Sequence, residues 1–145
     1  MSEAEGKCGS TVIPSFRYKD AQAAIVWLCE VLGFERHAVY EGKDGSIEHA
    51  QLALGSGMIM LGSAGNANPN PEANAHPDEI DRRVTSPTYV VVPSCDPVWE
   101  RVQAKGVEVM QPLRTMDYGG QSFTVRDPEG YVWSVGEYDP WKSSE

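Results

Sequence analysis

Two side chains, His49 and Gln51, stand out in this 145-residue chain as the pair best equipped for chemistry. Both lie in the run 47–54, where residue type alternates. Ala50, Leu52 and Leu54 fall on one strand face, and His49, Gln51 and Ala53 on the other. An imidazole donates, accepts or takes a proton near neutrality, and a primary amide offers both an acceptor and donors. His49 therefore has two readings: a satisfied wall histidine, or a hydrogen-bond partner or general base to a ligand. His37, in an early strand, and His76, in a polar linker, read as exposed and inert.

Other reactive patterns are absent. Cys8, Cys29 and Cys95 are an odd number without CxxC spacing, which suits a reduced cytoplasm better than a disulfide framework. Cys29 sits inside an apolar helical pattern and reads as a small core residue. There is no Gly-rich phosphate loop, nucleophile elbow or HExxH. Asp127-Pro128-Glu129-Gly130 reads as turn chemistry rather than as a carboxylate pair. Twelve Lys and Arg against 21 Asp and Glu give a net charge of −9, which argues against nucleic acid. The acidity serves solubility, or else a pocket that favours a cationic ligand. The first residues show no basic or apolar leader pattern, and no apolar run approaches the roughly 18 residues of a membrane helix. No membrane association is expected.

Two helices organise the chain. Asp20 is placed to cap a helix over 21–32, with Ala24, Trp27, Leu28, Val31 and Leu32 at helical spacing and Gly33 as the left-handed stop. Asp96 is the expected cap of the second, with Pro97 at its first position, Val98, Trp99 and Val102 as its buried stripe, and Gly106 at its end. A strand precedes each helix (12–18 and 88–92) and three follow it: 34–40, 47–54 and 58–61, then 107–111, 121–126 and 131–135. A constant shift of 73 residues places Gly33 on Gly106, Gln51 on Thr124, Gly57 on Gly130 and Met60 on Trp133. The expectation is an α+β domain over 12–138, between tails 1–11 and 139–145. It is built from modules 12–62 and 88–138 that together form a cupped eight-stranded mixed sheet. The Asn- and Pro-rich segment 63–87, with Asn66, Asn68, Pro69, Asn70, Pro71 and Asn74, reads as a linker that can also flank a ligand or a partner subunit.

Alternation also sorts the second module. Trp133 and Val135 share a face expected under the helix that carries Trp99, and Ser134 faces the other way. In 88–92, Tyr89 is the better candidate for the concave side. Trp141, in the tail, is placed to cover a pocket mouth or a dimer partner.

Two stretches carry a family resemblance. His49-Ala50-Gln51-Leu52-Ala53-Leu54-Gly55, followed by Met58-Ile59-Met60-Leu61, is similar to the first-half strand pair of glyoxalase-like proteins. Tyr118-Gly119-Gly120-Gln121-Ser122-Phe123, followed by Arg126-Asp127-Pro128-Glu129-Gly130-Tyr131-Val132-Trp133, resembles their second-half signature. The chain thus resembles the glyoxalase/bleomycin-resistance, or vicinal oxygen chelate, superfamily over residues 12 to 138. The resemblance implies the paired modules, a homodimer and a small-molecule pocket in the cupped sheets. Ligand-binding candidates are His49, Gln51, Tyr89, Tyr118, Gln121, Phe123 and Ser134. Relatives often carry Arg where this chain has the neutral Gln121.

Enzymes of that superfamily hold a divalent ion with His, Glu or Gln from four strands. The matching positions here fall near Ile13, Gln51, Pro87 or Thr88, and Ser134, of which only Gln51 is a credible ligand. Even with His49 beside it, the set is half a site, so no metal and no other cofactor is expected. The favoured reading is a binding protein that sequesters a hydrophobic or planar small molecule without a metal. The alternative is a divalent-metal-dependent lyase, isomerase or thiol transferase of the glyoxalase type, and a non-catalytic regulatory domain is a third possibility.

Overall fold

The first helix begins where the sequence can cap it. The Asp20 carboxylate accepts the backbone N–H of Ala23 at 3.1 Å. In the computed structural model, which describes residues 9–65 and 70–142, the α-helix α1 runs over Ala21–Trp27. It continues as a π-helical turn, Leu28–Leu32, that ends on left-handed Gly33 (φ 93°). Expectations that fall on Cys8, on the first eight residues, and on Asn66, Asn68 and Pro69 lie outside the described residues.

The chain divides into two compact units, Met1–His76 and Pro77–Glu145, and the division falls inside the Asn- and Pro-rich segment. The first unit holds strands β1 (Ser15–Tyr18), β2 (Glu35–Glu41), β3 (Ile47–Leu54) and β4 (Gly57–Ser63) around α1, in the sheet order β1-β4-β3-β2. The second holds β5 (Thr88–Val91), the helix α2 (Asp96–Ala104), β6 (Glu108–Thr115), β7 (Gln121–Arg126) and β8 (Val132–Gly136), in the order β5-β8-β7-β6. Each sheet joins its first and last strands in parallel and the others antiparallel. Two βαβββ modules of the α+β class are thus present, with eight strands divided four and four.

In the first module one row of β1, β3 and β4 is buried beneath α1: Phe16 and Tyr18 of β1, Ala50 and Leu52 of β3, Ile59 and Leu61 of β4. In the second the row is Val90, Phe123, Val125, Trp133 and Val135, covered by Val98 and Val102 of α2. Trp99 is half-buried and lays its ring against Phe123, centroids 5.1 Å apart.

Several details differ from the sequence-based expectation. Asp96 does not cap α2; it is the first helical residue, and Cys95 holds the cap position without a side-chain bond. Strand β6 runs on through Pro112 to Thr115, which an edge strand tolerates because an outward position needs no N–H. The 73-residue shift does not hold throughout. Gln51 pairs with Met60 and Thr124 with Ser134, so the offset is 124 − 51 = 73 in the central strands but 134 − 60 = 74 in the last. The turn before β8 holds one extra residue, and Met60 corresponds to Ser134 rather than to Trp133. His76 is buried, at 6% exposure, and not an exposed linker residue.

That longer turn has a structural centre. Asp127, 2% exposed, accepts the backbone N–H groups of Glu129 and Tyr131 on Oδ1, each at 3.0 Å. Its Oδ2 accepts the indole N–H of fully buried Trp133 at 3.1 Å. Left-handed Gly130 (φ 108°) closes the turn against Pro77, leaving no room for a side chain. A second carboxylate, Glu137, ties three segments together by accepting the backbone N–H of Cys95 at 2.8 Å and of Gln121 at 3.0 Å. Those two bonds, that of Cys95 first, hold the Glu137 carboxyl below its ordinary value.

Asp127→Ala strands three buried or half-buried donors and is expected to cost roughly 2–4 kcal/mol in urea unfolding. Asp127→Asn, which keeps one carbonyl oxygen, should cost less. Equal losses for the two variants would contradict this account. For Glu137 the folded value is depressed, so its stabilisation is complete above the unfolded carboxylate value of about 4.5 and drains as pH falls through the folded one. The stability gap between wild type and Glu137→Gln should therefore close below pH 4.5. A gap that stays constant in urea titrations down to acid pH would contradict the role given to Glu137.

Candidate functional site

Burial of one row under each helix turns the alternate row to the sheet's opposite, open face. On β3 this row is His49, Gln51 and Ala53, all half-buried. The Gln51 amide nitrogen lies 3.0 Å from His49 Nε2, so the two form a hydrogen-bonded pair along the strand. Tyr40, directly opposite on β2, stacks its ring on the His49 imidazole with centroids 6.0 Å apart and planes inclined by 23°. Met60 pairs with Gln51, and Met58 with Ala53, which gives the face an apolar surround. From β1, Arg17 reaches over side-chain-free Gly62 and donates to the Ser63 carbonyl at 3.2 Å.

The second module repeats the plan with different chemistry. Thr124 and Ser134 face each other across β7 and β8 with their hydroxyls 2.8 Å apart. Tyr89 of β5 pairs with Ser134 and lies over Gly136, as Arg17 lies over Gly62. Its hydroxyl donates to the Tyr138 carbonyl at 2.7 Å. Burial, and then the neighbouring Tyr118, push the Tyr89 phenol above its ordinary value, so it stays a donor. Tyr118, in the β6–β7 hairpin, meets the Tyr138 ring edge-on with centroids 5.2 Å apart.

The seven candidate residues thus fall into separate groups. His49 and Gln51 are together on the first module's open face, and Tyr89 and Ser134 are on the second's. Tyr118 stands at the hairpin beside Tyr138. Phe123 is not on an open face: it is 1% exposed in the core against Trp99. Gln121 belongs to the same row of β7 as Phe123 and Val125, not to the open row, and its backbone serves the structural tie to Glu137. Thr124 and Arg126, which do lie on the open face, carry the same period-two signal, and reading it along β7 would have found both. Trp141 is 95% exposed.

Neither described cysteine is held as a thiolate by its surroundings. Cys95 is buried and donates to the Gln121 and Val135 carbonyls; burial, then the nearby Glu137 carboxylate, pushes its thiol up to about 11. Burial also raises half-buried Cys29.

A cavity of about 330 Å³ lies on the other side of the first sheet, between α1 and β2, floored by Ile25, Val26, Val39 and Ile47 with Arg36 at its rim. Its cause is coverage. Helix α1 packs across β1, β3 and β4 and leaves the edge strand β2 beyond its reach.

The residues do not fit a divalent centre. Among the described residues no three of His, Cys, Asp and Glu gather closely enough to hold an ion. Of the matching positions, Gln51 bonds His49, Ser134 bonds Thr124, and Thr88 pairs with Trp133.

The model of the Glyoxalase/Bleomycin resistance protein/Dioxygenase superfamily matches residues 11–135. The chain belongs to this superfamily. Among solved structures, TioX from Micromonospora sp. ML1 is 28% identical with a TM-score of 0.69, over 90% of this chain and 100% of that one. An integron cassette protein from the mobile metagenome of V. cholerae is 23% identical with a TM-score of 0.59, over 90% of this chain and 97% of that one. A mutant of the fosfomycin resistance protein FosX from Listeria monocytogenes, complexed with Mn(II) and 1S,2S-dihydroxypropylphosphonic acid, is 15% identical with a TM-score of 0.66, over 90% and 94%. The last two likenesses establish the fold alone. No curated protein sequence matches this chain. Superfamily membership does not choose between binding and catalysis, because one fold hosts many activities. No helix among the described residues is long and apolar enough to cross a membrane.

Proposed function

We propose that this superfamily member binds a hydrophobic or planar small molecule without a divalent ion, and that the open face of its first module is a contact surface for that ligand. One observation carries the reading. At the chelating position the Gln51 amide is paired with the His49 ring at 3.0 Å, in a face otherwise lined by Tyr40, Met58 and Met60. An ion needs several oxygen or nitrogen ligands to offset its dehydration, and acidic groups serve it best. A flat apolar guest needs instead polarisable side chains, an aromatic edge and a few hydrogen-bonding groups. Thioether, phenol, amide and imidazole meet that requirement. Sequestration in the cytoplasm by a homodimer is the form of activity this proposal takes.

The test is elemental analysis of the purified protein, a thermal-shift series over Mn(II), Ni(II) and Zn(II), and a fluorescence screen of planar aromatic compounds. We expect no stoichiometric ion, no ion-specific stabilisation and at least one planar hit. His49→Ala and Gln51→Ala should each weaken that hit roughly three- to tenfold, the scale of one lost hydrogen bond. A tightly held stoichiometric ion would instead favour a metal-dependent lyase, isomerase or thiol transferase and end the ion-free reading. Hits indifferent to both substitutions would end the assignment of the face.

A further inference from the structure

The chain as a whole is acidic, yet the second module holds a guanidinium on its open face. Arg126 alternates with buried Val125, so it projects from the same side of β7 as Thr124. Its side chain is only 16% exposed, and the guanidinium is incompletely paired. Arg126 NH1 donates to Glu108 Oε2 at 3.3 Å, from the residue directly opposite on β6. The other oxygen of that carboxylate is taken by Arg82, whose NH2 lies 3.2 Å from Oε1. One carboxylate thus serves two guanidiniums, and Arg126 Nε, buried from solvent, has no acceptor. A buried donor left unbonded is costly, and such exceptions in a native fold call for an explanation.

The neighbours add donors and no further acid. Asp127, next in sequence, has its carboxylate committed to Trp133 and the turn on the helix side. Across from Thr124 on β6 stands Gln111, and across from Ser122 stands Arg114. The Thr124 and Ser134 hydroxyls share one hydrogen bond between them, which leaves one hydroxyl hydrogen to donate elsewhere. Same-face positions two residues apart on a strand, such as Thr124 and Arg126, lie within the span of one small ligand group.

We infer that Arg126, with the Thr124–Ser134 hydroxyl pair, forms a site for an oxyanion on the open face of the second module's sheet. The group it takes is a carboxylate, phosphonate or phosphate, either free or as the acidic end of a larger ligand. A guanidinium whose Nε–H lacks an acceptor has a donor to give the oxygens of such a group, and the spare hydroxyl supplies a further one. The neutral Gln121 therefore does not leave the second module without a cation for an acidic ligand; the positive charge stands at Arg126.

The test compares naphthoate, its uncharged isostere naphthamide and inorganic phosphate, at constant ionic strength, on wild type, Arg126→Met, Arg126→Lys and Glu108→Gln. Circular dichroism checks that each variant is folded. For wild type we expect naphthoate to bind at least roughly tenfold tighter than naphthamide, the scale of a charge-assisted hydrogen bond. Arg126→Met should erase that preference without weakening naphthamide, and Arg126→Lys should restore part of it. Glu108→Gln, which removes the competing carboxylate, should strengthen naphthoate. Phosphate that stabilises wild type but not Arg126→Met marks a site for free anions. Phosphate without effect, beside a retained naphthoate preference, marks the acidic end of a larger ligand. The inference is overturned if no anion depends on Arg126, or if Glu108→Gln weakens naphthoate. Naphthamide binding to wild type reads the planar-ligand proposal separately, so either idea can fail alone.

Discussion

A buried indole N–H must find an acceptor, and in this protein the acceptor decides where a whole strand sits. Trp133 is sealed in the second module's core with its Nε1 on Asp127 Oδ2, while the other oxygen of the same carboxylate closes the turn that leads into β8. The side chain and the turn therefore fix one register together. Because side chains alternate with a period of two, that register also sends Ser134 to the opposite face beside Thr124, and Tyr89 across from it. A slip of one residue would put a hydroxyl into the core and the indole into solvent. Core and candidate site are thus two sides of a single constraint.

The first module meets the same requirement without a polar anchor. Ala50 and Leu52 are fully buried under α1, and the row between them carries His49 and Gln51. The modules have kept the plan and changed the contents. Where the first sheet offers thioethers, an amide and an imidazole beside Tyr40 and Arg17, the second offers a hydroxyl pair beside Tyr89 and Arg126. Glycines at matching places, Gly62 and Gly136, let a long side chain from the first strand of each module lie flat across the last.

Much of this was legible in the sequence, because alternation, caps and turn residues are local signals. The helix over 21–32 with its Asp20 cap and Gly33 stop, both central strands, and the core position of Trp133 followed from spacing alone. What escaped depends on pairing between strands. The register shift between Tyr40 and Glu41 sets Glu48 as an extra residue opposite β2 and turns Ile47 into the core, against simple alternation. Burial of His76 comes from a chain path that residue type does not encode. Phe123 belongs to a family-like motif, yet its place in the strand is on the core side. The period-two rule that worked on β3 assigns it to the core and brings Arg126 out. Net charge describes the surface as a whole and not one sheet face, so the acidity of the chain says nothing of where Arg126 stands.

The account rests on ligands meeting the open rows and not the helix-covered ones. Methyl-labelled methionine spectra recorded while a planar hit is titrated test this most directly, because Met58 and Met60 belong to the open face of the first sheet. Saturable shifts are expected at these two methyls, with the His49 ring protons moving in parallel and, in a sample whose Ile and Leu methyls are labelled as well, the buried methyls of Ile25 in α1 and of Leu28 in its continuation unmoved. Shifts confined to Ile25 and its neighbours at the cavity beside β2, with Met58 and Met60 silent, would contradict it.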